Sequence, residues 1–420
     1  MNMLKAIFKL KELRNKILFV VFIIFIYRLG SHIPIPGVNL NALEEIFSNN
    51  SILGFFNLFS GGGLKRFSVF ALGILPYINA SIIMQLLTVV LPKLKELGEE
   101  GEGGRKQIAQ YTRYLAVGLS VLQSFFMSVG FKSLVNPGIS QGSFLFYSVI
   151  GLVAGATLVM WLGEIITEKG IGNGASILIF IGIIAEMPTY INNTIVLVQS
   201  GTNIVNVMIL AIVFLMMIVL IVYVQEAERK IPVQYAKRVV GRKMLSAQNT
   251  YIPFRLIQGG VMPIIFASAV LQFPLMFSQY INVDKVNHFF STYYQYDGWV
   301  YNLFFCVLIF FFTYFYTAIT FNPDDLAQNI KKNGGFIMGV RPGKPTLEFL
   351  ENIISKLTLF GAFFLSIFAL IPIITANTTN VTSFMGLGGT ALLIIVGVAM
   401  DVVKQVESFI ISKQYEGMAI

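Results

Sequence analysis

The chain has 420 residues, 55% of them hydrophobic and 12% charged, with a formal charge of +9. A mean hydropathy of +0.74 excludes an ordinary water-soluble domain and describes a chain whose solvent is mostly lipid. Long unbroken apolar runs exclude a membrane β-barrel, whose strands alternate over about ten residues, so the fold class expected is an all-α polytopic membrane protein.

Ten apolar stretches follow in order, at 17–36, 68–91, 112–131, 144–166, 175–188, 204–224, 252–278, 299–321, 353–374 and 384–403. Most reach the roughly 20 residues that a helix needs to cross hydrocarbon. The tail before the first carries Lys5, Lys9, Lys11, Arg14 and Lys16. No small-residue cleavage site follows, so this stretch reads as a span and not as a cleaved signal. When the ten are threaded back and forth, Arg28, Lys65, Arg66, Lys132 and Lys285 fall outside, and Glu44, Glu45, Glu186, Asp284 and Asp297 balance them. Every other Lys and Arg lies inside. The positive-inside rule then puts both termini in the cytosol.

Ten crossings divide after the fifth, near the polar residues 187–203, into an N-terminal half, 1–190, and a C-terminal half, 191–420. Each half has an odd number of spans, so the two run in opposite senses and, if homologous, form inverted repeats. No residue-level repeat is visible, and the symmetry rests on parity. The short fifth stretch and a tenth ending at Asp401 are both unusual for simple anchors.

Residues 55–92 do not behave as an anchor. Gly61, Gly62 and Gly63 would each cost a helix roughly 1 kcal/mol against alanine. Lys65 and Arg66 must face water or the bundle interior, since charge against lipid is costly. An interfacial helix and a small movable element dipping into a polar cavity both satisfy these constraints.

The inward loops at 225–250 and 321–346 are long, basic and interrupted by Gly and Pro. Their cations are Lys237, Arg238, Arg242 and Lys243 in the first, and Lys331, Lys332, Arg341 and Lys344 in the second. Topology needs only a few charges; loops of this size offer a soluble partner both charge and backbone. Arg341 sits between Gly339-Val340 and Pro342-Gly343, a turn that presents its guanidinium outward. Such a group can grip a carboxylate or phosphate with two hydrogen bonds.

Other chemistry is absent from the pattern. The glycines of 96–106 lack the Gly-Lys-Ser/Thr ending of a phosphate loop, and 170–174 has no preceding strand and serves as a turn between the fourth and fifth stretches. His32 and His288 lie in outward segments, Cys306 is alone, and Glu164 and Asp401 lie near cytosolic helix ends. No metal set, cofactor motif or catalytic triad is expected. A secondary solute carrier and a non-transporting scaffold remain alternatives to a channel.

Several motifs narrow the choice: RLGSHIPIPG at 28–37, FNLFSGGGLKRFSVFALGILPYINASIIMQLL at 56–87, GRKQIAQYTRY at 104–114, WLGEIITEKGIGNGASI at 161–177, YAKRVVGRK at 235–243, FNPDDLAQNIKKNGGFIMGVRPG at 321–343 and GGTALLIIVGVAMD at 388–401. In order and over nearly the whole chain, they resemble the bacterial branch of the SecY/Sec61-alpha family of preprotein-conducting channels. The resemblance implies two halves clamped around an hourglass pore in the bacterial inner membrane, a plug helix, and a side gate between spans two-three and seven-eight. It implies passage of signal peptides and unfolded preproteins, exit of hydrophobic spans to the membrane lipids, and no covalent chemistry. Implied partners are SecE, SecG, the SecA motor and the ribosome. It places a constriction at Ile74, Ile78, Ile179, Ile265 and Ile394, where β-branched side chains disfavour a water column. Ile74 and Ile78, four apart, share one helical face. The plug falls on 60–70, with Gly61, Gly62 and Gly63 as flexible connections and Lys65 and Arg66 facing the outer vestibule. Gln85, Gln123 and Gln258 would mark the gate, as a weak amide seam or as ordinary interhelical bonding; such bonds average about 0.6 kcal/mol in membranes. The two basic loops would dock the motor and the ribosome.

Overall fold

A computed structural model describes residues 10–40, 42–43, 47, 54, 57–201, 203–235, 239–240, 243–244, 249–278, 294, 298–379 and 388–418. In chain order the helices are α1 Lys11–Gly30, α2 Leu75–Val90, α3 Pro92–Glu99, α4 Glu102–Gly130, α5 Gln141–Lys169, α6 Gly174–Gln199 and α7 Ile204–Glu226. Strands β1 Glu228–Tyr235, β2 Val239–Val240, β3 Lys243–Met244 and β4 Asn249–Arg255 follow. Then come α8 Met262–Ser278, α9 Trp299–Thr320, α10 Pro323–Lys332, β5 Gly335–Ile337, α11 Lys344–Thr379 and α12 Gly388–Met418.

Among the described residues, six helices are long and apolar enough to cross a membrane: α5, α6, α7, α9, α11 and α12. A seventh arises if α2 and α3, bent by 99° at Leu91-Pro92, count as one span. The remaining stretches fold as α1, α4 and α8, shorter or more polar. The protein is therefore a mostly helical membrane protein.

Four boundaries differ from the sequence reading, each for a local reason. Helix α2 starts at Leu75, not near 68, because Gly73 adopts φ +55 and Pro76 favours the first helical turn. Helix α6 is not short: it runs through Pro188 to Gln199, across the polar stretch expected to divide the halves. Helix α8 starts at Met262, since 249–255 is spent on β4. Helix α12 continues beyond Asp401 to Met418. The turn expected at 170–174 is present, with Asn173 capping α6 through Ser176 N–H at 3.2 Å.

One large apolar cluster draws residues from α1, α2, α5–α9, α11 and α12. A second, around Phe67, Phe131, Phe144 and Leu152, closes one end of the N-terminal helices. The loops at 225–250 and 321–346 are not separate. They share a three-stranded antiparallel sheet of order β4-β1-β5, with Ile231 opposite Ile252 and Val233 opposite both Thr250 and Ile337. Ile231 and Val233 alternate inward and pack with Phe254, Ile330, Ile337 and Leu350 as a small core of their own. Pro232 is tolerated in β1 where β5, which pairs only Val233–Tyr235, no longer flanks it.

Candidate functional site: buried isoleucines beside two cavities and a buried glycine-rich segment

Ile78 of α2, Ile179 of α6 and Ile265 of α8 line a cavity of about 470 Å³. Its polar wall comes from Tyr77, Ser81, Gln85, Arg113, Glu164 and Thr167. Ile74, the N-cap of α2, and Ile394 of α12 are buried in the same apolar cluster. The Ile78 N–H donates to the Ile74 carbonyl at 3.1 Å, so the two stack although the helix begins between them. A second cavity of about 440 Å³ carries Gln225, Arg255, Gln258, Asp401 and Lys404. The cavities share Asn173, Ser176, Met262 and Tyr316. The two cavities thus share one wall, and three of the isoleucines lie on the first of them.

An ion pair in this wall escaped the sequence reading. Arg113 Nε donates to Glu164 Oε1 at 2.8 Å, joining α4 to α5. Glu164 stood out only as a charge near a helix end, and its partner lies 51 residues away in sequence.

Helix α2 packs against α4 on one side and α8 on the other. Gln85 faces the first cavity; its Nε2 donates to Ser81 Oγ within its own helix at 3.3 Å, and its Oε1 is buried without a partner among the described residues. Gln123 is buried on α4 and Gln258 lines the second cavity in the turn before α8. The structure does not bring the three amides into one hydrogen-bonded set.

Residues 57–74 are mostly buried but are not the helix that the resemblance implied: after a single turn at 57–59 the backbone is a series of tight turns. Gly61 and Gly62 adopt φ +61 and +84, which a β-carbon would strain. Gly61, Gly62 and Gly63 are buried, Lys65 is half-buried and Arg66 exposed. Arg28 Nη1 donates to the Gly61 carbonyl at 2.7 Å. The Glu186 carboxylate lies against Gly62, where any β-carbon would collide with it.

Of the expected docking cations, Lys331, Lys332, Arg341 and Lys344 are all exposed on the sheet-bearing module. The Arg341 turn is held by Thr346 Oγ1, which donates to the Arg341 carbonyl at 2.8 Å. Lys237, Arg238 and Arg242 lie outside the described residues, as does the side chain of Lys243 in β3.

The SecY family profile matches residues 68–403. The protein translocase subunit SecY of a Synechocystis strain is 46% identical over 418 residues, covering 97% of this chain and 94% of its own. That of Thermotoga maritima is 42% identical over 424 residues, covering 98% and 96%. Among solved structures, a protein-conducting channel shares the fold with a TM-score of 0.65 at 18% identity, over 94% of this chain and 91% of that one. Sec61 of a canine ribosome–channel complex does so with a TM-score of 0.62 at 18% identity, over the same shares of 94% and 91%. Matched along nearly its whole length by sequence and by fold, the chain belongs to the SecY family.

Proposed function

We propose that the chain is the protein-conducting channel of a bacterial Sec translocase, passing unfolded preproteins across the inner membrane and releasing hydrophobic spans sideways into lipid. It is a translocation channel and not an enzyme. The observation that carries the mechanism is the convergence of Ile78, Ile179 and Ile265, from α2, α6 and α8, on the wall of one cavity. With Ile74 and Ile394 they form a compliant apolar collar: it excludes water and ions at rest, and rotamer changes let a polypeptide through.

Ten crossings with both termini cytosolic follow from the charge pattern, and the packing of the chain ends supports them. Leu13 of α1 is buried against Val406 and Ile410 of α12, and Lys413 meets Glu12 at 3.4 Å. The start of the first helix and the end of the last thus lie on one face, as an even number of crossings requires. Two inverted halves are the arrangement that the parity of the spans supports, with the boundary moved from residue 190 to the turn after α6, which runs unbroken to Gln199. Residues 60–70 serve as the plug, and the contact between α2 and α8, with Gln85 and Gln258 at its cavity faces, is the side gate. The basic module presenting Arg341 docks SecA or the ribosome, and SecE and SecG complete the membrane complex.

The test is transport by the purified complex in vesicles. An unfolded preprotein should become protease-protected with SecA and ATP; uptake of a small solute alone would favour a carrier, and neither activity a scaffold. Ile78→Asn with Ile394→Asn should raise resting ion conductance, and unchanged conductance would reject the collar.

A further inference from the structure

The turn between α5 and α6 is held from two sides. Toward α5 the contact is backbone on backbone: a β-carbon on Gly174 would collide with the Gly163 carbonyl, and the Gly174 N–H donates to Thr167 Oγ1 at 2.8 Å. Such close contact fixes the start of α6 on α5. On its other side the turn rests on α12, which packs along α6 and belongs to the other half of the chain. Ile171 and Val402 join the apolar knot around Leu13, Val406 and Ile410. Apolar contact is non-directional, so the knot holds the turn against α12 without fixing its height. Gly172 offers no side chain to interlock there, and its φ of +85 disfavours one.

The directional tie comes from Gln405. Its Oε1 accepts the Gly172 N–H at 2.7 Å, between residues 233 apart in the chain. Each of the two helices carries one isoleucine of the collar, Ile179 in α6 and Ile394 in α12, and both are buried. At 1.5 Å per residue, Gln405 lies about 16 Å from Ile394 along α12, and Gly172 about 10 Å from Ile179. The difference, about 6 Å, is what a glutamine side chain and its hydrogen bond cover, because helical side chains lean toward the N-terminus, in α12 the side of the collar.

We infer that Gln405 is a positioning residue: by fixing the Gly172 turn on α12 it keeps Ile179 level with Ile394, and so keeps the collar closed at rest. This rests on the channel reading and on the isoleucine collar. The role depends on the length of the side chain as well as on its polarity, which separates it from a bond that merely adds stability.

Resting ion conductance of the purified complex in vesicles reads the collar. Gln405→Met, similar in length but without the acceptor, should raise it about threefold, toward the low end of what one neutral hydrogen bond contributes, since water reaches this one. Gln405→Asn keeps the amide but shortens its reach and should leak as the Met variant does. Gln405→Glu keeps both reach and acceptor and should stay tight. Asn206→Leu is the control: it removes a 3.0 Å bond to the Thr379 carbonyl, between α7 and α11 of one half, and should leave conductance at the wild-type value. A tight Gln405→Met, a tight Gln405→Asn, a Gln405→Glu as leaky as the Met variant, or a leak in Asn206→Leu would each overturn the inference. Ile78→Asn with Ile394→Asn in the same vesicles tells this failure from that of the collar: if that pair does not leak, the collar reading falls first and takes the inference with it.

Discussion

Residues 57–74 and strands β1 and β4 carry similar local signals, glycine or proline beside basic residues and apolar ones, yet they fold in opposite ways. The first segment is irregular and buried; the second is regular and half exposed. Both satisfy their backbone groups, as buried or paired chains must. The strands do so with a ladder that depends little on side-chain identity. The glycine-rich segment needs individual donors and acceptors, Arg28, Asn57 and Ser60, and glycines that allow its turns. Backbone regularity and burial are therefore independent here, and a substitution in the irregular segment should disturb the seal, whereas one in the sheet should disturb docking.

The largest test pairs two buried aromatic rings, Phe67 at 0% exposure and Phe254 at 1%. Replacing either by Ala should cost about 3–5 kcal/mol of local stability. Phe254→Ala should expose β1 and β4 to limited proteolysis with normal resting conductance; Phe67→Ala should raise conductance with the sheet still protected. Matching readouts from the two variants would break the comparison. Gly155→Ala, which pushes on the Val69 carbonyl, should cost about 1–3 kcal/mol in thermal unfolding of the purified protein, as overpacking does. Phe67→Gly sharpens the point, because it leaves the same void as Phe67→Ala but relieves the positive φ of +44; it should be about 1 kcal/mol more stable than the Ala variant. No such gain is expected in β1 or β4. The smallest effect on stability, within about 0.5 kcal/mol, belongs to exposed Arg341→Glu. That variant should still assemble in the membrane but bind SecA or the ribosome more weakly, with the larger loss at low salt where steering is strongest.

The membrane helices were legible because apolar length is a property of the chain itself. Boundaries at Leu75 and Met262 were not, because a run of apolar residues reads the same whether it is helix, buried turn or strand. The five isoleucines could be named from family motifs, but the convergence of Ile78, Ile179 and Ile265 on one cavity needed α2, α6 and α8 in place. The pairing of Arg113 with Glu164 and of Arg28 with Gly61 left no local trace, each spanning more than 30 residues.

Composition and the spacing of apolar runs by themselves determined a polytopic helical membrane protein, and the placing of Lys and Arg its expected orientation, because lipid and the charge asymmetry across the bilayer act on each segment locally. Tertiary structure alone decided that two basic loops form one sheet-bearing module, and that a glycine-rich segment is buried in turns instead of lying as a helix. Both outcomes depend on contacts between residues distant in the chain: Val233 with Ile337 in the sheet, and Phe67 with Phe131 and Phe144 beside the glycine-rich turns. Only packing can select such pairs, since each segment alone leaves its apolar side chains and backbone groups without partners.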